Sequence, residues 1–377
     1  TRSMARAELS PGARELPPRA YRDPGLFERE QREMFANSWV SIGVTQQVPE
    51  PGDVLPVEVA GQPLIITRAA DSSVHVFYNV CRHRGTRLVD GPCKRRNGLI
   101  TCPYHNWSYQ LDGALRGAPY WDRTAGSAPD ESTRAGLALT AVCFALWFDT
   151  IYVNLSGDAQ PFHEFIAPLA ARWSSFDADE LRLLVATDYQ PEANWKLVCE
   201  NFLDGYHVPW VHRQVGPPEA GADYQTVWLA HDIFGAFVPQ GETERPRIDR
   251  PLPSFAGVAD EFKGSHHFMY VFPNTLLAIG EQWFQVISVL PETPRTSREN
   301  LALYLVSDVA LEADRTEQRS EFGKQMLRIN EQDMTIVQRL QEGRASAGAE
   351  HCTFAPHWDE LTALFHRRME NMPGVTR

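Results

Sequence analysis

The chain has 377 residues, 43% of them hydrophobic, which is enough for two or three buried cores. Its net charge of −12 argues against nonspecific binding of nucleic acid, which depends on neutralising phosphates with clustered Lys and Arg. Six cysteines are too sparse for a disulfide scaffold and no apolar run reaches membrane-spanning length, so we expect a cytoplasmic protein without membrane span, secretory leader or structural disulfides.

After the Asp23-Pro24-Gly25 start, Phe27, Met34, Phe35 and Trp39 recur at roughly helical intervals, which predicts a helix over 24–39. From Ser41 to about Leu155, short alternating runs punctuated by Gly and Pro (DVLPVEVAGQPLIITRAA, HVFYNVCRH, GLITCPYH) predict an all-β unit rich in hairpins. A helix is expected from Asn194 to about Tyr206, a surface loop over 240–256, strands over 267–308, and a long helix over 315–343. Strands followed by helices without βαβ alternation indicate an α+β class.

Within the β-rich part, CRHRG (81–85) is followed by CPYHNW (102–107), so that Cys81 pairs with His83 and Cys102 with His105. In an extended strand C-x-H puts both side chains on one face, and CPYH is a tight turn that can return a second pair to the same point. Cys2His2 is a zinc ligand set, but zinc sites usually pair like residues, whereas here each half is mixed. The other reading is a [2Fe-2S] cluster with both cysteines on one iron and both histidines on the other. CRHRG and CPYHNWSYQLDG resemble the Rieske motif of the Rieske non-haem iron oxygenases, with two departures. The spacing between the pairs is slightly long, and Asn106 stands where the family usually has Gly; Asn is the residue that best tolerates a left-handed backbone. Cys93, Cys143, Cys199 and Cys352 read as small buried hydrophobes.

Further along, NWKLVCENFLDGYHVPWVH would place Glu200, Asp204 and His207 on one helical face, with His212 after the Pro209 break. In the long helix, Phe322, Met326, Ile329, Ile336, Val337 and Leu340 form an apolar stripe with Asp333 in its gap. Burying an unpaired carboxylate costs several kcal/mol, so Asp333 needs a cation or strong donors; a neighbouring arginine or a backbone amide is the alternative. Two imidazoles and this carboxylate would make the facial triad of a non-haem Fe(II) site, with Glu331 a weaker rival on the polar face.

ENFLDGYHVPWVH is similar to the mononuclear iron motif of the same family. The resemblance implies an all-β Rieske [2Fe-2S] domain (40–158) and a helix-grip-like α+β catalytic domain with an antiparallel sheet (159–377), on which a helical segment (1–39) packs. It implies a cluster held by Cys81, His83, Cys102 and His105, and Fe(II) held by His207, His212 and Asp333, with O2 as co-substrate. Asp204 would be the bridging acid between a Rieske histidine of one subunit and the iron site of the next, in a homotrimer. No Gly-x-Gly occurs in the chain, so electrons would come from a separate NAD(P)H-dependent reductase, with or without a ferredoxin.

The expected reaction is hydroxylation or oxidative demethylation, by mono- or dioxygenation, of a small aromatic or cyclic compound, with betaine- or carnitine-like quaternary ammonium compounds as the alternative. Asp204, where the carnitine group tends to carry Glu, tilts the reading toward rings and aromatic compound catabolism. Trp210, Phe234, Phe237, Tyr270, Phe272, Trp283 and Phe284 are candidates for the pocket wall, and Arg213, Arg245, Arg247 and Arg250 for holding a substrate carboxylate. A Rieske electron carrier without oxygenase chemistry and a zinc-stabilised module are the readings from other classes.

Overall fold

A computed structural model describes residues 15–215, 224–239, 252–355 and 358–371. The chain divides into two units, Thr1–Glu30 with Gln160–Arg377, and Gln31–Ala159, the second lying inside the first in sequence. The Asp23 carboxylate accepts the Leu26 N–H at 3.0 Å, and Pro24 opens helix α1 (Pro24–Arg29). The predicted single helix over 24–39 is in fact α1, a π-helical turn (Glu30–Met34) and a 3-10 turn (Phe35–Asn37). The wider turn begins at Glu30, whose buried carboxylate takes the Lys196 ammonium at 2.7 and 2.9 Å and the Trp195 indole N–H at 2.9 Å.

Gln31–Ala159 is built of short strands, as the alternating runs predict. In chain order they are β1 (Val40–Val44), β2 (Asp53–Val59), β3 (Gln62–Arg68), β4 (Val74–Tyr78), β5 (Cys93–Lys94), β6 (Leu99–Thr101), β7 (Ser108–Gln110), β8 (Leu115–Gly117), β9 (Cys143–Trp147) and β10 (Thr150–Asn154), with the short helix α2 (Glu131–Gly136) after β8. They form three antiparallel sheets, ordered β1-β10-β9, β4-β3-β2-β5 and β6-β7-β8. Val54, Ile65, Phe77, Leu88, Ile100 and Tyr109 fill one buried cluster, and Cys81 and Cys102 belong to it. Cys143 is exposed on the edge strand β9, contrary to the buried role expected of it.

The other unit is organised on one seven-stranded antiparallel sheet. Helix α3 (Phe162–Arg172) precedes strand β11 (Leu181–Tyr189), and helices α4 (Trp195–Leu203) and α5 (Val208–Val211) follow it. The chain then runs as a meander through β12 (Gln225–Ala230), β13 (Ile233–Pro239), β14 (Ser265–Val271), β15 (Thr275–Gly280), β16 (Trp283–Thr293) and β17 (Thr296–Val306), and β11 pairs with β17. Helix α6 (Thr316–Gly343) matches the predicted long helix, and α7 (Glu360–Glu370) follows. Both α4 and α6 pack on this sheet, giving the expected α+β architecture. Among the described residues no helix is long and apolar enough to cross a membrane.

Two expectations about helix faces need correction. First, α4 ends at Leu203 because Asp204 leaves the helical region (ψ 105°), so Glu200, Asp204 and His207 do not share one helical face. Glu200 instead turns into the core, where it accepts the Tyr21 hydroxyl at 2.8 Å and lies 3.0 Å from His366 Nε2. Second, the buried face of α6 is Gly323, Asn330, Val337 and Gln341, and Leu340 is exposed. The stripe therefore lies about one position round from the apolar pattern, because polar Asn330 and Gln341 are part of it. Both are satisfied there: the Asn330 amide donates to Glu299, and Gln341 accepts the Asn194 N–H and donates to the Tyr21 carbonyl.

Candidate metal centres

The two Cys/His segments adopt the same turn. Cys81 N–H donates to the Thr86 carbonyl (2.8 Å) and Gly85 N–H to the Cys81 carbonyl (3.0 Å); Cys102 N–H donates to Trp107 (2.7 Å) and Asn106 N–H to Cys102 (3.1 Å). Each turn needs a left-handed residue at its fourth step, supplied by Gly85 (φ 75°) and Asn106 (φ 60°), so Asn106 does the work expected of a Gly. CRH is thus a turn and not the extended strand that would have put Cys81 and His83 on one face.

The turns bury Cys81 and Cys102 and expose His83 and His105, whose ring centroids are 4.7 Å apart. His83 is held by stacking on Trp107 at 4.8 Å. The Tyr109 hydroxyl, itself buried, accepts the Arg82 N–H at 3.0 Å and lies 3.3 Å from Cys81 Sγ. Burial pushes the Cys81 thiol up, whereas at Cys102 burial is outweighed by the backbone N–H groups of Tyr104 and His105, which bring its thiol down. Turn amides aimed at a sulfur favour the thiolate that metal binding requires.

In the other unit, the Asn194 side chain accepts the Lys196 N–H at 3.0 Å and starts α4; the break at Asp204 and Pro209 in the first turn of α5 then set His207 and His212 at the two ends of that short helix. Asp333 comes from the middle of α6. His207 Nε2 and His212 Nε2 are 3.2 Å apart, and lie 3.3 and 3.1 Å from Asp333 Oδ1. Among the described residues, this is the one group of three or more His, Cys, Asp or Glu whose donor atoms all lie within 4.8 Å of one another. Glu331, the rival carboxylate, is exposed.

Asp333 Oδ1 is buried without an aligned hydrogen bond, although two imidazole nitrogens face it. Three donor atoms aimed at one point, with one left unsatisfied, fit a cation between them better than any sharing of protons. The electrostatics agree. Burial opposes charge at His207, but Asp204 and Asp333 outweigh it and hold the imidazole up to about 9; burial likewise opposes charge at Asp333, and His207 and His212 bring it down to about 2. The pocket attracts positive charge.

Sequence reasoning passed over Gln332. Its Oε1 lies 2.9 Å from His212 Nδ1 and accepts the Gln214 amide at 2.8 Å, so His212 Nδ1 carries the proton and Nε2 offers its lone pair. Asp204 is in a similar place beside the other imidazole, with Oδ2 3.5 Å from His207 Nδ1, and accepts the Tyr206 N–H at 2.7 Å. Next to Asp333 is a cavity of about 30 Å³, lined by Val198, Phe202, Glu299, Asn330 and Met334 among others. None of the seven aromatic residues expected in a pocket wall lines this small cavity. Phe234, Tyr270, Phe272, Trp283 and Phe284 are buried core and Trp210 is 60% exposed. Arg213 is exposed, and Arg245, Arg247 and Arg250 lie outside the described residues, as does most of 240–256.

The turns set the two cysteines together on the buried side and the two histidines together on the exposed side, the like-with-like split that a two-iron cluster takes. Residues 38–129 match the family model described as Rieske [2Fe-2S] domain, and 178–373 the model described as Ring hydroxylating alpha subunit (catalytic domain). The chain is 34% identical over 204 residues to the glycine betaine monooxygenase oxygenase subunit of Chromohalobacter salexigens, covering 54% of this chain and 44% of that protein. It is 26% identical over 339 residues to the carnitine monooxygenase oxygenase subunit of Escherichia coli K12, covering 88% and 85%. Its match thus spans less than half the length of the glycine betaine relative. In fold it is similar to naphthalene 1,2-dioxygenase from Rhodococcus sp., with TM-score 0.73 and 19% identity over 94% of this chain and 93% of that one. With both matches falling on the segments that gather these donors, the chain belongs to the ring-hydroxylating alpha subunits, with a Rieske [2Fe-2S] domain ahead of the catalytic domain.

Proposed function

We propose that the protein is the terminal oxygenase of a multicomponent system, in which Cys81, Cys102, His83 and His105 hold the cluster and His207, His212 and Asp333 hold the iron. The observation that carries the reading is the convergence of two imidazole Nε2 atoms on a buried, unsatisfied Asp333 Oδ1. The cluster supplies stored electrons and the iron supplies O2 activation. The chain's own residues do the rest. Gln332 orients His212, Asp204 sets a negative charge beside His207, Tyr109 and the turn amides stabilise the sulfurs, and the apolar wall of Val198, Phe202 and Met334 limits water beside Asp333. With three ligands from the protein, an iron held here would have positions free for O2 and substrate.

Asp204 reads as the group through which an electron reaches the iron site from a neighbouring subunit's cluster, in a homotrimer served by a separate reductase, with or without a ferredoxin. For the substrate, the names of the glycine betaine and carnitine relatives favour a small quaternary ammonium compound over the aromatic one expected from Asp204. The aromatic reading keeps one support, 30% identity over 213 residues to the large oxygenase component of a salicylate 5-hydroxylase from Ralstonia sp.

Iron and sulfide analysis with the visible spectrum, then product analysis under labelled O2 with a surrogate reductase, tests the proposal. A red-brown protein with about three irons per chain that places labelled oxygen in a product is expected. A colourless zinc protein, or one with only the cluster's two irons, overturns it.

A further inference from the structure

The three candidate iron donors come from elements far apart in sequence. His207 and His212 follow the end of α4, and Asp333 stands in the middle of α6. Beside Asp333 both helices line the small cavity, with Val198 and Phe202 from α4 and Asn330, Met334 and Val337 from α6, so side chains do not fill the space between them at that level. Tyr21, the last residue of a 3-10 turn (Pro18–Tyr21), is bonded to both helices. Its ring is fully buried, its hydroxyl donates to Glu200 Oε1 of α4 at 2.8 Å, and its carbonyl accepts the Gln341 amide of α6 at 3.1 Å.

Each end of this link is itself held. Gln341 Oε1 accepts the Asn194 N–H at the start of α4 at 2.8 Å, and the guanidinium of Arg344, which caps α6, lies 4.7 Å from the centre of the Tyr21 ring. His366 of α7 accepts the Leu16 N–H through Nδ1 at 2.9 Å, which puts its proton on Nε2, 3.0 Å from the same Glu200 oxygen. Burial, then the neighbouring Glu200, hold the Tyr21 hydroxyl well above its ordinary range, so it remains a donor at neutral pH. A buried network of this kind resists displacement, because sliding one helix past the other would leave a donor without its acceptor.

We propose that Tyr21 is a positioning residue for the iron site: its bond to Glu200, with Gln341 on its carbonyl, sets the spacing of α4 and α6 and through it the separation of Asp333 from the two imidazoles. Gln341 lies eight residues past Asp333 on the same helix, about 12 Å along the axis, so a rigid α6 carries a shift at one to the other. Metal donors work only when held to within about 0.5 Å, a tolerance that two helices apart in sequence need a fixed link to meet. The inference rests on the iron-site reading and adds the element that shapes that site.

The test uses the full chain with its cluster in place and Co(II) in the mononuclear position, and reads Co(II) affinity by chelator competition and site geometry by the Co(II) EPR spectrum. Tyr21→Phe removes only the hydroxyl. It should weaken Co(II) binding by about three- to tenfold and alter the EPR spectrum, while the visible spectrum of the cluster stays unchanged. Ser265→Ala controls for the loss of one buried hydroxyl, since its bond to the Phe262 carbonyl at 2.7 Å is made between β14 and the turn before it; its Co(II) affinity should equal that of wild type. Wild-type affinity and spectrum in Tyr21→Phe, or an equal fall in Ser265→Ala, overturns the proposal. Asp333→Ala separates the two readings. Co(II) bound equally by wild type and Asp333→Ala defeats the iron site itself, whereas a site that needs Asp333 and ignores Tyr21 defeats only the positioning role.

Discussion

His212 Nε2 lies 3.1 Å from Asp333 Oδ1, yet that oxygen has no aligned hydrogen bond. A proton between the two would satisfy one imidazole and leave the other, 3.2 Å away, facing it. A divalent cation satisfies all three donors together. Asp333→Ala should therefore lose about one iron per chain while the visible spectrum of the cluster stays unchanged, because the cluster donors belong to other turns. Metal analysis beside the spectrum checks it; full iron retention would remove Asp333 from the ligand set.

Gln332 controls which nitrogen His212 offers. Replacing it with Leu removes the acceptor for Nδ1–H, frees the ring to change tautomer, and should weaken binding of Fe(II) or Co(II) by about 10- to 100-fold. Gln332→Glu, which keeps an acceptor, should restore most of the affinity. A metal titration that finds Leu and Gln equivalent would show that packing alone fixes the ring.

Asp204→Asn keeps the shape beside His207 and removes a charge 3.5 Å from its Nδ1. Both metals should remain, since Asp204 is not among the three converging donors. Turnover with reductase should collapse while the cluster is still reduced at the wild-type rate. Unchanged turnover would eliminate Asp204 as the link between the sites.

The candidate donors stand out because their residue types are rare and their spacing is local: the mixed Cys/His pairs, and two histidines flanking Pro209. Asp333 was legible as a carboxylate inside an apolar period. The same period misplaced the buried face of α6. An apolar count cannot see that Asn330 and Gln341 are buried with partners from β17, α4 and the segment before α1, and it credits Leu340, which is 39% exposed. Gln332 was invisible for a related reason. It acquires its role from a group distant in sequence, His212. Phe234, Tyr270 and Phe284 suit a pocket by type, and their strands bury them.

His267 gives the protein an acid-sensitive element that is not one of the candidate donors. It is 1% exposed, accepts the Trp173 indole N–H at 3.3 Å, and has Phe262, Phe237 and Phe176 around it at centroid distances of 4.7, 5.1 and 6.0 Å. Burial, then the charges of Arg172 and His266, bring its pKa down to about 3, below the 6.5 of an unfolded histidine. The unfolded chain thus binds a proton that the native state refuses, so the contribution is complete above pH 6.5 and is lost as pH falls toward 3. The loss approaches about 1.4 kcal/mol per pH unit inside that window. His267→Phe should cost stability at pH 7, because Trp173 loses its acceptor, but should lose about 1 to 2 kcal/mol less than wild type between pH 7 and pH 5. Denaturant unfolding of both proteins at the two pH values measures the difference, with all other titrating groups common to the pair. Equal losses would mean that His267 is protonated in the native state.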